Sequence, residues 1–157
     1  MATIEILNVG RLIQKLDKIA NAQAIEAMNK AVILVQGQAK NLCVVDTGAL
    51  RSSIHTEVKK SAQEVIGRVY TGMSYAPYIE FGTGSKGNGT YPYKTKVNLH
   101  YRGTPWVYTP DGGETFYRTE GQVAKPFMYP ALKMNEKTIK AMFKNGMKES
   151  INKAIGG

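Results

Sequence analysis

The longest pattern of apolar positions in the chain runs from Val9 to Leu42. Apolar side chains recur there at steps of three and four residues, which is the spacing of one face of an α-helix. Polar side chains such as Lys18 and Lys30 occupy the opposite face, so the pattern predicts a long surface helix lying on a core. Asn8 is suited to cap its start, and Gly37 marks a possible bend or close contact.

A tight corner and a β-hairpin are predicted to follow this helix. Asp46 and Thr47 are residues that cap helices, and Gly48 permits a turn, so a short helical piece is expected after them. From Ile54 the apolar and polar residues alternate, and after a polar break at residues 60–63 the alternation resumes at Val65. Two alternating runs separated by a short polar break indicate a hairpin.

The middle of the chain combines a helical turn with a loop. Tyr75–Phe81 is predicted to form the turn, because Pro77 is tolerated near the first position of a helix. Four glycines within residues 82–89 predict a flexible loop after it.

Residues 85–120 are predicted to form a projecting hairpin arm. They contain seven of the 14 aromatic residues of the chain, and no linker of the domain-boundary type flanks them. Thr95–Tyr101, Trp106–Thr109 and Thr115–Thr119 are β-like pieces. The last two are separated by Pro110–Glu114, whose composition is typical of a tight turn.

The chain is expected to end in a helix that starts near Pro130. Its apolar residues recur at helical spacing, and five lysines recur at the same spacing on a neighbouring face. These lysines are Lys133, Lys137, Lys140, Lys144 and Lys148. A solvated face is the default interpretation, and contact with an acidic partner or with passing DNA is the alternative.

Length and composition narrow the classes of protein. A chain of 157 residues is predicted to form a single domain spanning residues 1–157. No apolar run approaches the length of a membrane span, and the opening residues lack the pattern of a secretory signal. A single cysteine, Cys43, excludes an internal disulfide and favours a reducing compartment. The net charge of +9 fits either an anionic neighbour or a basic face that only maintains solubility.

No set of residues in the sequence has the spacing that catalysis or cofactor binding needs. Residues 82–87 match the G-x-G-x-x-G pattern, but the residues after them cannot open the helix that a dinucleotide site requires. His55 and His100 have no cysteine or carboxylate at the spacing of metal ligands. We therefore expect a protein that is not an enzyme and binds neither a cofactor nor a metal.

The aromatic residues of the arm are the first candidates for an interface. Aromatic side chains are enriched at the centres of protein interfaces, so contact with another protein is the leading interpretation. Packing against its own domain comes second. Base stacking on nucleic acid comes third, because the arm has a net charge of only +2. The residues are Tyr91, Tyr93, Tyr101, Trp106, Tyr108, Phe116 and Tyr117.

Three segments in order resemble a known family. They are Val45–Ile54 (VDTGALRSSI), Tyr75–Thr83 (YAPYIEFGT) and Gly121–Leu132 (GQVAKPFMYPAL), and they lie between the long first helix and the basic last helix. Together they resemble the head–tail joining or tail-completion proteins of long-tailed bacteriophages, over residues 4–155.

The resemblance implies an α+β fold in which an antiparallel sheet packs against the two long helices. It also implies a structural role in the virion neck, as a ring of six copies assembled in the host cytoplasm. The expected partners are the connector or head-closure proteins on one side and the tail terminator or tail tube on the other, without a membrane. The family has no known chemistry.

The motif residues are expected to hold the fold. Asp46 and Thr47 would cap the turn that delivers Leu50 to the core, and Glu80 would be partly buried and paired with Arg51. Gly82 and Gly84 would allow backbone angles that other residues disfavour. The start of the last helix would be fixed by Pro126, Phe127 and Pro130. The full set is Asp46, Thr47, Gly48, Leu50, Arg51, Tyr75, Tyr78, Glu80, Phe81, Gly82, Thr83, Pro126, Phe127 and Pro130.

Two other functions stay open at this point. A tail terminator is similar in role and size to a tail-completion protein. A separate basic nucleic-acid-binding protein would show binding that weakens steeply with salt.

Overall fold

The computed structural model describes residues 9–61 and 64–155, with side chains described for residues 18, 20–61 and 64–153. In the order of the chain, a long helix comes first and another comes last, and the shorter elements come between them. In chain order the elements are α1 (Val9–Leu42), α2 (Ala49–Ser52), β1 (Ile54–Lys60), β2 (Val65–Thr71), α3 (Ala76–Phe81), α4 (Gly84–Gly87), β3 (Trp106–Tyr108), β4 (Tyr117–Thr119) and α5 (Met128–Ile155).

The long first helix is confirmed with the predicted ends. Its buried positions Ala27, Ala31, Val35 and Ala39 follow the three- and four-residue spacing of one face. Gly37 lies inside the helix, and an added Cβ would meet nothing within 4 Å, so of the two alternatives the close contact is wrong and the bend stays a prediction. The expected cap at Asn8 lies outside the described residues.

The first hairpin is also confirmed. β1 and β2 are hydrogen-bonded neighbours, and the backbone N–H of Ser61 donates to the carbonyl of Glu64 at 2.9 Å where the chain turns between them. Successive residues of β2 alternate between half-buried and exposed. At Gly67 the strand lies against α1, because a Cβ there would be only 2.6 Å from Cγ1 of Val32.

The α+β class is confirmed, although the β structure is divided into two separate two-stranded antiparallel sheets. β3 pairs with β4 in the register Trp106 with Thr119, Val107 with Arg118 and Tyr108 with Tyr117. The strand predicted at Thr95–Tyr101 is wrong, because this segment contains no strand. Its neighbouring aromatic residues pack against other rings instead of pairing their backbone in a ladder.

The chain divides into two compact units. Of the described residues, one unit contains 9–36, 56–61, 64–69 and 134–155, and the other contains 37–55 and 70–133. The first unit buries Ala27, Ala31, Val32 and Val35 of α1. The second buries Ala39, Cys43, Leu50, Ile54, Ala76, Phe127 and Ala131, among which Ile54 and Phe127 are the largest fully buried side chains. The arrangement as one domain stays a prediction.

The last helix begins two residues before the expected Pro130, at Met128. Pro130 is then its third residue and is buried, as the first turn of a helix tolerates a proline. Among the described residues, no helix is both long enough and apolar enough to cross a membrane.

Candidate protein-interaction site

The start of α5 is held by Glu80, which lies on the distant helix α3. Oε2 of Glu80 accepts the backbone N–H groups of Phe127 and Met128 at 2.7 and 2.9 Å, and Oε1 accepts that of Tyr129 at 3.1 Å. The first N–H groups of a helix have no partner within the helix, and they carry a partial positive charge that favours an anion. Glu80, which is only 6% exposed, therefore caps α5 with its side chain.

The predicted pairing of Glu80 with Arg51 is wrong. Arg51 is exposed, and the hydrogen bonds of the Glu80 carboxylate go to the backbone of α5. Backbone N–H groups at a helix start satisfy a buried carboxylate without a second buried charge.

The helix cap predicted at Asp46 and Thr47, before α2, is only partly formed. Gly48 takes the N-cap position of α2 without a side-chain cap, while Thr47 Oγ1 accepts the N–H of Ala49 at 3.4 Å and Asp46 is exposed.

An isolated β-bridge ties the chain after α3 to the segment before α5. The N–H of Thr83 donates to the carbonyl of Gln122 at 2.9 Å, and the N–H of Gln122 donates back at 3.0 Å. The side-chain amide of Gln122 also donates to the carbonyl of Tyr78 at 3.1 Å. This bridge closes the base of the arm, and nothing in the sequence pattern of Gln122 indicated its part in it.

Glycines make this close crossing possible. Gly82 and Gly84 have φ values of 80° and 64°, in the left-handed region that favours glycine, as expected. Gly84 also lies against the backbone of Glu120, and an added Cβ would approach the Trp106 ring to 2.9 Å. Gly84–Gly87 forms the short helix α4, so the flexible loop predicted for residues 82–89 is in part a packed helical turn.

Three aromatic residues at the start of the arm pack within their own unit. The ring of Tyr91 lies 4.9 Å from that of Phe81 and 5.6 Å from that of Tyr93, and Tyr93 lies 4.8 Å from Tyr129. The hydroxyl of Tyr101 donates to the carbonyl of Phe81 at 3.0 Å. For Tyr91, Tyr93 and Tyr101 the structure therefore places the side chains against their own unit, the second of the three interpretations.

Burial of Tyr91 within this cluster has an electrostatic consequence. Desolvation, together with the nearby negative charge of Glu80, raises the pKa of the Tyr91 phenol to about 12. Both effects disfavour the phenolate, so the cluster keeps Tyr91 neutral across the physiological range.

An open groove of about 820 Å³ is lined by residues of α3, the arm and the segment before α5, among them Tyr101. Aromatic rings from α3 (Tyr78) and from the arm (Trp106 and Tyr108) contribute to its walls. The guanidinium of Arg102 lies over the Trp106 ring at 5.6 Å, which is within the range of a cation–π contact. Among the described residues that line the groove, none has a carboxylate, so the guanidinium of Arg102 gives it a positive charge.

The β3–β4 hairpin carries the exposed aromatic residues of the arm. Tyr108 and Tyr117 face each other across the ladder with ring centres 5.8 Å apart, and each is about half exposed. Phe116 is 70% exposed, the highest value among the exposed large hydrophobic side chains of the described residues. Trp106 is half-buried at the groove. These four residues of the candidate set keep ring surface in contact with solvent, and their role in an interface stays a prediction.

The loop between β3 and β4, Thr109–Phe116, is ordered by its own hydrogen bonds. We call it the arm tip. Oδ1 of Asp111 accepts the Thr109 hydroxyl at 2.7 Å and the Thr115 N–H at 2.9 Å, and Thr109 Oγ1 accepts the Gly113 N–H at 2.8 Å. The hydrogen bonds from Thr115 and Thr109 hold the pKa of the Asp111 carboxyl well below its usual range. The tip therefore keeps its negative charge in a defined conformation.

The lysines of α5 form an exposed set. Lys133, Lys137, Lys140, Lys144 and Lys148 are all exposed, and Lys140 forms an ion pair with Glu136 at 2.7 Å one helical turn away. Exposed ion pairs of this kind contribute little to stability. A solvated face accounts for these positions, and a role in binding stays a prediction.

The two histidines take different places. His55 lies near Tyr70, with ring centres 6.1 Å apart, and His100 lines the groove. Within the described part of the chain, no group of three or more His, Cys, Asp or Glu residues could hold a metal ion. The groove thus offers rings, backbone polar groups and positive charge, which suit binding of an acidic or aromatic surface.

The comparisons with known proteins give one match. Residues 9–82 match the family model HK97-gp10_like, described as "Bacteriophage HK97-gp10, putative tail-component". No curated protein and no solved structure matches the chain at a significant level. The matched segment extends from α1 through α3 and contains Val45–Ile54 and nearly all of Tyr75–Thr83, whereas Gly121–Leu132 lies beyond it.

The expected resemblance to a phage family is therefore confirmed over the first half of the molecule. The match includes Glu80, which holds the start of α5, but neither the arm nor α5 itself. Over residues 9–82 the chain is therefore similar to the HK97-gp10-like family of bacteriophage tail components.

Proposed function

We propose that the chain is a structural protein of the phage neck that joins or completes the tail at the head–tail interface. It would act as a ring of six copies between the connector or head-closure proteins and the tail terminator or tail tube. The family of residues 9–82 supports a place in the tail, and the exposed apolar surface of the second unit supports assembly. No catalytic step is part of this proposal.

The observation that carries the proposal is the exposure of large apolar side chains around the groove and the arm. Tyr78, Val107 and Phe116 are 59, 58 and 70% exposed. Single exposed apolar residues are common, but a contiguous apolar surface marks a site of interaction. Burial of such a surface is favourable by about 25 cal/mol for each Å² of apolar area removed from water, so neighbours in a particle would stabilise it.

Assembly of particles without this chain tests the proposal. We expect heads and tails made in its absence to stay separate, and the purified chain to restore joined particles when it is added back. A gold label on the chain should then lie at the neck in electron micrographs. Joined particles that form equally well without the chain would overturn the proposal.

A tail terminator is the alternative within the same phage context. It predicts the same location but a different defect, because tails without a terminator grow to irregular lengths. Normal tail length in particles that lack the chain supports tail completion, and irregular length supports the terminator.

Nucleic-acid binding is the second alternative, favoured by the exposed lysines of α5. Release of counterions makes such binding weaken steeply with salt, by a slope that counts the phosphates neutralised. Titration with duplex DNA at two salt concentrations, with Lys137, Lys144 and Lys148 changed to Gln as the matched variant, measures that slope. A monomer with tight, salt-sensitive binding that these changes abolish would favour this alternative over neck assembly.

A further inference from the structure

The arm contains two features that do not meet within one molecule. Its stem, the β3–β4 ladder, lines the aromatic groove through Trp106, Tyr108 and Thr119. The arm tip leaves the groove, because none of residues 109–118 is among the described residues that line it. The groove and the tip are therefore both exposed in the single chain.

The charges of the two features are opposite. The tip contains Asp111 and Glu114 and no basic residue, whereas Arg102 and His100 line the groove without an acidic side chain. Opposite charges on two surfaces steer them together and fix their register. The hydrogen bonds of Asp111 Oδ1 order the tip, so little conformational entropy would be lost when it binds.

The apolar parts also match. Phe116 is 70% exposed at the end of the tip, and Tyr78 is 59% exposed at the groove wall. An aromatic side chain that enters an aromatic groove buries a large area and gains favourable ring contacts. Such an anchor beside a charged pair is the usual composition of an interface hot spot.

We infer that the arm tip of one copy docks in the aromatic groove of a second copy, with its acidic residues facing Arg102. Phe116 then lies among the groove rings, and Glu114 approaches the guanidinium that covers Trp106. The contact is head-to-tail, since two different surfaces, the tip of one copy and the groove of the next, meet in it. A head-to-tail contact generates a ring when its rotation closes, so this inference rests on the proposed ring assembly and names the surfaces that make it.

The size of the groove is compatible with such a contact. Its volume of about 820 Å³ lies within the range of about 300–1,000 Å³ that is typical of binding pockets.

Exchange of charges across the contact gives the decisive test, in the full-length chain. The variants are Arg102→Glu in the groove and Glu114→Lys at the tip, with Lys144→Glu on α5 as the control for the same change of charge. Sedimentation velocity over a concentration series measures association, and circular dichroism verifies that each variant is folded. We expect each of the two single variants to associate at least about tenfold more weakly than the wild-type chain, and the control to associate normally.

Mixing the two weak variants is the sharpest measurement. When the two variants alternate, every contact is complementary. The acidic tip of the Arg102→Glu copy meets the native Arg102 of the Glu114→Lys copy, and the basic tip of the Glu114→Lys copy meets the acidic groove of the Arg102→Glu copy. We expect the mixture, and the double variant R102E/E114K, to recover association, which a misfolded variant could not do. A third variant, Phe116→Ala, should weaken association without a change of charge.

The opposite results would overturn the inference. These are variants that associate like the wild-type chain, a mixture that stays as weak as its components, or a wild-type chain that is monomeric at every soluble concentration. The proposed neck function is tested separately by restored joining of heads and tails. Joining that persists with variants unable to use the tip contact would refute the docking and leave the neck function standing.

Discussion

Oε2 of Glu80 lies 2.7 Å from the backbone nitrogen of Phe127, and this bond connects two residues 47 positions apart in the chain. It joins α3 to the first turn of α5, next to the fully buried ring of Phe127. The two elements that flank the arm are therefore tied together at one carboxylate. The Thr83–Gln122 bridge forms a second connection between the two ends of the arm.

Removal of the Glu80 carboxylate should be costly. Glu80→Ala leaves three backbone N–H groups at a helix start without their acceptor, so we expect a loss of about 3 kcal/mol in the free energy of unfolding. Glu80→Gln retains one acceptor oxygen and should lose about half as much. Urea unfolding measures both changes.

Arg51→Ala is the matched control, because Arg51 is the partner expected from the sequence and is exposed in the structure. Its effect should lie within about 0.5 kcal/mol, and the double variant R51A/E80A should be additive. A coupling energy between the two residues would contradict the assignment of the backbone as the partner of Glu80.

The raised pKa of Tyr91 predicts that the protein loses stability at alkaline pH. Its pKa is raised from the ordinary value of 10 to about 12, mainly by burial, so the folded state favours the neutral phenol. The contribution of this group to stability is complete below pH 10 and is lost as the pH rises through about 12. Stability of the wild-type chain should therefore fall over this window.

Tyr91→Phe removes the titrating group and should reduce that fall. Tyr78→Phe, at an exposed position, is the control and should leave the slope of the wild-type chain unchanged. Urea unfolding at pH 8 and at several values between about 10 and 12 gives the slopes. Equal slopes for all three chains would show that Tyr91 is not shielded.

Alanine variants of Gly84 and Gly89 distinguish the cost of a steric clash from the cost of backbone strain. Gly84→Ala adds a Cβ against the backbone of Glu120 and the Trp106 ring at a φ of 64°, whereas Gly89→Ala adds it in open space at a φ of 74°. Both should lose about 1 kcal/mol through strain, and Gly84→Ala should lose about 2 kcal/mol more through the clash. Thermal unfolding compares the two, and equal losses would show that the arm base yields to the added atom.

Two phenylalanines should separate folding from assembly. Phe127 is fully buried, so Phe127→Ala creates a cavity and should lose about 4 kcal/mol of stability. Phe116 is 70% exposed, so Phe116→Ala should change stability by less than about 0.5 kcal/mol while association of copies weakens. Chemical unfolding and sedimentation of both variants measure this contrast. A large stability loss from Phe116→Ala would indicate that this ring packs within its own chain.

Local patterns were sufficient for much of the secondary structure. α1 has the predicted ends, and the β1–β2 hairpin and the turn after Pro110 lie where alternation and turn residues indicate them. These features depend on neighbours within a few residues, which is the range over which periodicity and turn chemistry act. Thr95–Tyr101 failed as a strand because β-like composition specifies no partner, and the nearby tyrosines find rings to pack against.

In the candidate site, too, the sequence predicted some features and missed those that depend on long-range contacts. The sequence indicated a resemblance to a phage family, which the match over residues 9–82 supports, and it singled out Glu80, Phe127 and the aromatic residues of the arm. It assigned Arg51 as the partner of Glu80, because side-chain charges can be read from a sequence and unsatisfied backbone groups cannot. The hydrogen bonds from the backbone N–H groups of α5 to the Glu80 carboxylate form only when the fold brings α3 and the start of α5 together.

Amino-acid order alone therefore determined the two long helices, the hairpins, the excess of positive charge and the resemblance of residues 9–82 to a phage tail family. Tertiary structure decided which tyrosines are packed, which aromatic side chains face solvent, and that the arm stem forms a groove while its tip leaves it. The physical reason is the separation along the chain over which each effect acts. Propensity and periodicity act between near neighbours, whereas burial, capping by a distant carboxylate and the shape of a groove depend on contacts between residues far apart in the chain.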